Sequence, residues 1–378
     1  MRPRARLARG LHPVAWWLWA LGLAVAASRT TNPVLLALVL VVAALVVTTR
    51  RGDAPWARGF RSYLLLGLIV IAIRVVFHAL LGTSSGQHAH VLVRLPELPL
   101  PAWAAGIEIG GPVVLEGVLG ACYAGLRLAV LLACIGAANV LANPKRALRV
   151  LPGALYEIGV SVVVALTVAP QIVESGQRVL RARRLRGDTR RWLSAVRGIA
   201  VPVLQDALAR SLSLAAAMDS RGYGRTAGVS ARSRRASAAL LLAGLLGLAV
   251  GAYGVLAGDA SYGLGLPVLL AGAACCCAGL LTGGRRVRHS RYRPDPWGLP
   301  ESLVAGSGVA AACVMVVAAG YAPGALTPSL YPLGWPTVSL LPLAGLAVAA
   351  LPAVAAPPTP RVSVRTPPPT RDRLPEAT

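Results

Sequence analysis

Lysine is almost absent from this chain: Lys145 is the only one among 38 basic residues, so the cationic character is that of arginine. Acidic residues are scarce too, 14 in all, and charged residues make up 14% of 378 positions, where a soluble domain carries about a quarter. That scarcity, with 56% apolar residues, a mean hydropathy of +0.64 and long charge-free blocks, excludes a string of soluble domains. It predicts an all-α polytopic integral membrane protein. The net charge of +24 would suit nucleic acid, but in a chain whose apolar blocks must sit in lipid it reads as basic cytoplasmic loops, with no nucleic-acid partner. The sole lysine lies in Asn143-Pro144-Lys145-Arg146, so the Gly-x-x-x-x-Gly-Lys-Ser/Thr loop that cradles nucleotides is missing. Any ATP energy must therefore come from a partner. Cys122, Cys134, Cys275, Cys276, Cys277 and Cys313 fall inside apolar stretches without metal spacing, which excludes a disulfide framework. Clustered nucleophiles and bases are lacking as well, and neither an enzyme nor a cofactor or metal is expected.

What is present is a series of apolar blocks, at roughly 12–28, 34–49, 62–81, 113–138, 237–257, 263–282, 302–319 and 338–356, each near the ~20 residues that span a bilayer. The first block, preceded by Arg2, Arg4, Arg6 and Arg9, imitates a signal peptide. Another block follows directly from Val34, and cleavage would discard the orienting charges, so a retained first helix is expected. Arginine accumulates at alternate ends of the spans: Arg50, Arg51, Arg58 and Arg61, then Lys145, Arg146 and Arg149, then Arg285 to Arg293, then Arg361 to Arg373. By the positive-inside rule both termini are cytoplasmic in a multi-pass protein of the plasma membrane. The residues from Leu155 to Ala169 would break this alternation if they crossed alone, because fourteen arginines between Arg178 and Arg235 would then lie outside. They are read as a short helix in or at the cytoplasmic leaflet, ended or bent by Pro170.

The segment from Gln171 to Arg235 holds two helix-like stretches, each running into an Arg-Gly pair, Arg186-Gly187 and Arg221-Gly222. In the second, Leu204, Leu208, Leu212, Ala215 and Met218 recur at helical spacing, with Asp206, Arg210, Ser213 and Asp219 off that stripe, which makes a long amphipathic helix. Arginine in a last turn meets the negative end of the helix dipole, and glycine just past it stops the helix. Capping alone accounts for either pair. Repetition about thirty-five residues apart, in the one sizeable cytoplasmic segment, points further. A guanidinium beside a bare glycine can enter a groove on another protein and bond its carboxylates or carbonyls, and two copies suit two similar partners.

These residues resemble a known family. Leu11-His12-Pro13, Asn32-Pro33, Asn143-Pro144, Leu166-Thr-Val-Ala-Pro170 with Glu174, and above all Ala217-Met218-Asp219-Ser220-Arg221-Gly222-Tyr223-Gly224 are similar to the transmembrane T component of energy-coupling-factor transporters. That family includes the membrane protein of cobalt and nickel uptake systems, and its motif is Ala-Arg-Gly twice. Here Leu185 and Ser220 stand in place of the alanines. The resemblance covers roughly residues 11–257. It implies a non-catalytic subunit of an ABC importer for a vitamin or for cobalt or nickel. Arg186, Gly187, Arg221 and Gly222 would bind two ATP-binding cassette subunits and pass their motion to a small substrate-binding membrane protein, the S component. The expected divisions are N-terminal spans in 1–140, the coupling region in 141–236, C-terminal spans in 237–356 and a disordered cytoplasmic tail in 357–378.

A stand-alone secondary transporter or channel is the competing reading; it should show internal repeats or a midplane site, and no repeat is evident. His78, His88 and His90 read as solvated loop residues, although a His-x-His pair can bind a transition metal. Arg74 and Arg127 lie inside apolar blocks, where a charge costs at least ~2.5 kcal/mol unless paired or snorkelling, and Glu116 is a candidate partner for Arg127. The stretch Arg288 to Trp297 reads as a loop anchored at the interface by Tyr292 and Trp297.

Overall fold

A computed structural model of the chain describes residues 10–52, 59–81, 90–98, 109–142, 144–148, 150, 156–187, 192–222, 231–256, 265–284, 296–330 and 333–357. In chain order the elements are α1 (Pro13–Ser28), α2 (Pro33–Arg50), α3 (Phe60–Leu81), β1 (Val91–Leu98), β2 (Ile109–Val114), α4 (Leu115–Leu141), α5 (Pro144–Leu148), α6 (Tyr156–Leu185), α7 (Trp192–Ser220), α8 (Ala231–Leu256), α9 (Gly265–Gly284), α10 (Leu299–Tyr321), α11 (Pro323–Leu326), α12 (Leu340–Ala349) and α13 (Pro352–Ala355). The architecture is that of an all-α polytopic membrane protein. Among the described residues, eight helices are long and apolar enough to cross a membrane: α2, α3, α4, α6, α7, α8, α9 and α10. α1 and the stretch Leu340–Ala355 are shorter. The apolar blocks read from the sequence fall on α1 to α4, α8 to α10 and α12 with α13. The helices α6 and α7 are additions to that set, and α7 is the least apolar of the eight.

The chain divides into two compact units, Met1–Arg146 with Pro294–Thr378, and Ala147–Arg293. In the first, α1, α2, α4, α10 and α12 share one apolar core around Trp19, Leu23, Leu35, Val39, Cys134, Met315 and Leu346. Bare backbone lets α1 and α10 cross closely: a Cβ on Gly22 would strike the Gly308 backbone, and one on Gly308 would strike Trp19. Polar groups tie α1 and α2 to the helices after Gly298. The buried Trp19 indole donates to the Ala349 carbonyl at 2.9 Å. Asn32 caps α2 by accepting from the Val34 amide at 3.0 Å. Its side-chain amide donates to the carbonyls of Ala325 at 2.8 Å and Thr337 at 2.9 Å. Thr30 bonds the Leu326 carbonyl at 2.7 Å, and Arg50 bonds those of Ala353 and Val354. The Trp297 ring, expected as an interface anchor, packs edge-on against His12, with centroids 5.3 Å apart. The C-terminal helices are therefore structural members of the N-terminal unit.

Between α3 and α4 the expected plain loop contains an antiparallel pair, β1 with β2, in which Val91 faces Val114 and Leu98 faces Ile109. Pro96 and Pro112 are tolerated because a two-stranded ribbon consists of edges, and Gly110 and Gly111 supply positive φ of 102° and 97°. His90, read as solvated, is anchored here: its ring Nδ1 lies 2.7 Å from Glu116 Oε1, and its backbone amide reaches both carboxylate oxygens. Glu116 is 3% exposed and is not the partner of Arg127. Eleven residues along one helix separate those two by roughly 16 Å.

In the second unit, α8 and α9 pack through glycine. A Cβ on Gly247 would meet Gly272, and one on Gly254 would meet Gly265, so the two backbones touch as small-residue seams in membranes allow. α6 and α7 form the other pair. α6 runs 30 residues without a break at Pro170, where the sequence suggested an end or a bend. A proline removes one helical hydrogen bond. The turns that follow Pro170 carry Gln171 and Ser175, which bond to α7. The tail beyond residue 357, the loop around Tyr292, Asn143 and His88 lie outside the described residues.

Candidate functional site

Both Arg-Gly pairs end long helices, and both ends are built in the same way. At the end of α6 the Arg186 amide donates to the Arg183 carbonyl at 3.0 Å and the Gly187 amide to Arg184 at 3.1 Å. At the end of α7 the Arg221 amide donates to Met218 at 3.2 Å and the Gly222 amide to Asp219 at 2.8 Å. Each of these bonds spans three residues, a tightened last turn that satisfies carbonyls the helix would leave unpaired; the Arg186 amide also reaches the Ala182 carbonyl at 3.3 Å, which has no counterpart at Arg221. Gly187 and Gly222 then take φ of 69° and 68°. A side chain at that conformation is strained, which is why glycine stands at both positions. No other described residues of α6 to α9 have positive φ.

The result is an arginine on the rim of each helix end, beside a residue with no side chain. Arg186 and Arg221 are exposed, and neither side chain has a hydrogen bond or ion pair among the described residues. Leu185, next to Arg186, is 89% exposed. The negative end of each helix dipole stabilises the neighbouring cation, while five N–H donors on each guanidinium remain open to a carboxylate or carbonyl.

A polar clamp positions the two helices. Asp206 of α7 accepts from Ser175 Oγ of α6 at 2.8 Å and lies 3.5 Å from Arg178 of the same helix as Ser175. Arg210, one turn after Asp206, pairs with it through Nε at 3.2 Å and Nη2 at 3.0 Å, and reaches back to Gln171 of α6 at 3.1 Å. Pairing of 171 with 210 and of 175 with 206 runs in opposite senses, so α6 and α7 are antiparallel. Ser175 and Arg210 each precede their arginine by eleven residues, roughly 16 Å of helix. The two Arg-Gly ends therefore leave the clamp in opposite senses. The structure does not bring Arg186 and Arg221 together: the two ends are separate along the pair.

Sequence reasoning placed Asp206 and Arg210 on the polar face of α7 without assigning them a task. Their four-residue spacing was the available signal; Gln171, Ser175 and Arg178 carried none. Tyr223 and Gly224 lie outside the described residues.

The family model for CbiQ, described as a cobalt transport protein, matches residues 4–229. The chain belongs to that family. CbiQ proteins are the T components of energy-coupling-factor transporters, so the chain is a multi-pass membrane component of a transport system. No curated protein matches it. The match contains α1 to α7 and both Arg-Gly ends, and stops before α8.

Proposed function

We propose that this CbiQ-family chain couples ATP hydrolysis to uptake: Arg186 and Arg221 each dock into one of two ATP-binding cassette subunits. The helices α6 and α7 carry the resulting motion to a small substrate-binding membrane protein, and the cargo is cobalt, nickel or a vitamin. The observation that carries the reading is the duplicated helix end, with a tightened last turn and a left-handed glycine each time, on two helices that lead away from one clamp. Two equal docking elements in opposite senses suit two equal motors. With one lysine and no nucleotide-cradling loop, the chain draws on its partners for ATP. Residues 141–236 form the coupling region in this reading, with both termini on the same cytoplasmic side, where arginine accumulates. The α6–α7 pair lies at that face, since the paired Asp206, Arg178 and Arg210 and the free helix-end arginines suit water and protein better than lipid.

The test is uptake by the complete transporter carrying Arg186→Ala with Arg221→Ala. The double variant should insert normally, lose its ATPase subunits and lose ATP-dependent uptake. Undiminished uptake would refute the assignment. Uptake driven by an ion gradient in liposomes containing this chain alone would establish the stand-alone transporter instead.

A further inference from the structure

A cleft of about 610 Å³ opens between the C-terminal turns of α3 and the N-terminal turns of α4. Its α4 wall is Gly117, Gly120, Ala121 and Ala124, the i, i+3, i+4, i+7 face of a helix, and these small side chains leave the space unfilled. The opposite wall carries Arg74, Phe77 and His78. Arg74 is exposed within a largely apolar helix and has no hydrogen bond or ion pair among the described residues. It lies level with Gly125, where an added Cβ would come within 3.5 Å of the Arg74 Cβ. Glu116, the one carboxylate lining the cleft, sits two turns or more away at the other end and is already bonded to His90. The cleft thus has an unanswered cation at one end and apolar walls between.

We propose that this cleft binds an anionic phospholipid, its phosphate on Arg74 with His78, one turn further along α3, as a second donor. A guanidinium set among apolar side chains is stabilised by an anion, and phosphate matches its planar fork. The flank of α3 beside the cleft exposes Ile73, Val76 and Leu80, an apolar track for acyl chains. A volume of about 610 Å³ suits a headgroup and the start of its chains, whereas a membrane-spanning helix about 10 Å across and roughly 30 Å long fills several times that. The observations therefore favour lipid over an acidic span of a partner.

The test uses the full chain in neutral detergent, analysed by native mass spectrometry with phosphatidylglycerol, phosphatidylcholine or soluble glycerol phosphate. One phosphatidylglycerol should be retained, at least about tenfold more strongly than phosphatidylcholine. Arg74→Gln should abolish that preference. Ala124→Leu, which keeps the arginine and fills the closed end, should abolish retention, and Arg127→Gln, outside the cleft, should keep it. Equal retention by wild type and Arg74→Gln, or no preference between the lipids, would overturn the proposal. Displacement of the lipid by equimolar glycerol phosphate would overturn the lipid assignment in favour of a soluble anion.

Discussion

The N- and C-terminal helices of the first unit and the α6–α7 pair of the second are held together by different means. In the first, large apolar side chains are fully buried, and distant backbone is stitched by Trp19, Thr30, Asn32 and Arg50. In α6 and α7, among the described residues, Ser175 is the only buried side chain larger than hydrogen, and the pairing rests on Asp206 and its partners. A closely packed core resists deformation because it has no continuous alternatives. A pair held by a few half-exposed polar bonds can change its angle at low cost, and moving elements are drawn from such regions. The contrast is between a stiff apolar frame and a pair of helices whose angle is adjustable.

Substitutions can break or sharpen that contrast. The largest effect is expected at the α1–α10 crossing: Gly308→Leu forces a side chain into the Trp19 backbone. Overpacking costs roughly 1–3 kcal/mol even where neighbours can yield, and backbone cannot. Fluorescence size-exclusion should show loss of monodisperse protein. Next comes Asn32→Ala, which removes an N-cap worth ~1 kcal/mol and leaves two carbonyls without their donor. A melt in detergent should drop by several degrees. Gly222→Ala places a side chain at φ 68°, at a cost of about 1–2 kcal/mol confined to one helix end. Binding of one ATPase subunit should weaken while the melting temperature hardly moves. The smallest effect on stability is expected for Asp206→Asn, which loosens the clamp. Its melt should match wild type, yet coupled uptake should fall several-fold; a large drop in melting temperature would show that the pair is part of the rigid frame.

Much of this was legible in residue order because apolar runs and caps are local. Asn32-Pro33 announced the start of α2, and Arg186-Gly187 and Arg221-Gly222 announced two helix ends. Long-range matters were not. Asn32 gave no sign that its amide reaches Thr337, so the C-terminal helices looked like an appendage to the family pattern. Pro170 carried a local stop signal, yet α6 continues through it. The β1–β2 ribbon was hidden because Pro96 and Pro112 argue against a strand unless both strands are edges. In the site, the glycines were readable from capping chemistry, whereas the divergence of the two arginines depends on Ser175 meeting Asp206, a contact between helices.

Counting ATPase subunits decides whether the two Arg-Gly ends are separate and equivalent docking elements. The transporter would be purified through a tag on this chain and weighed by native mass spectrometry. Two ATPase subunits are expected for wild type, one for Arg186→Ala, one for Arg221→Ala and none for the double variant. Two subunits retained in all four preparations, or both lost with either single substitution, would contradict that expectation.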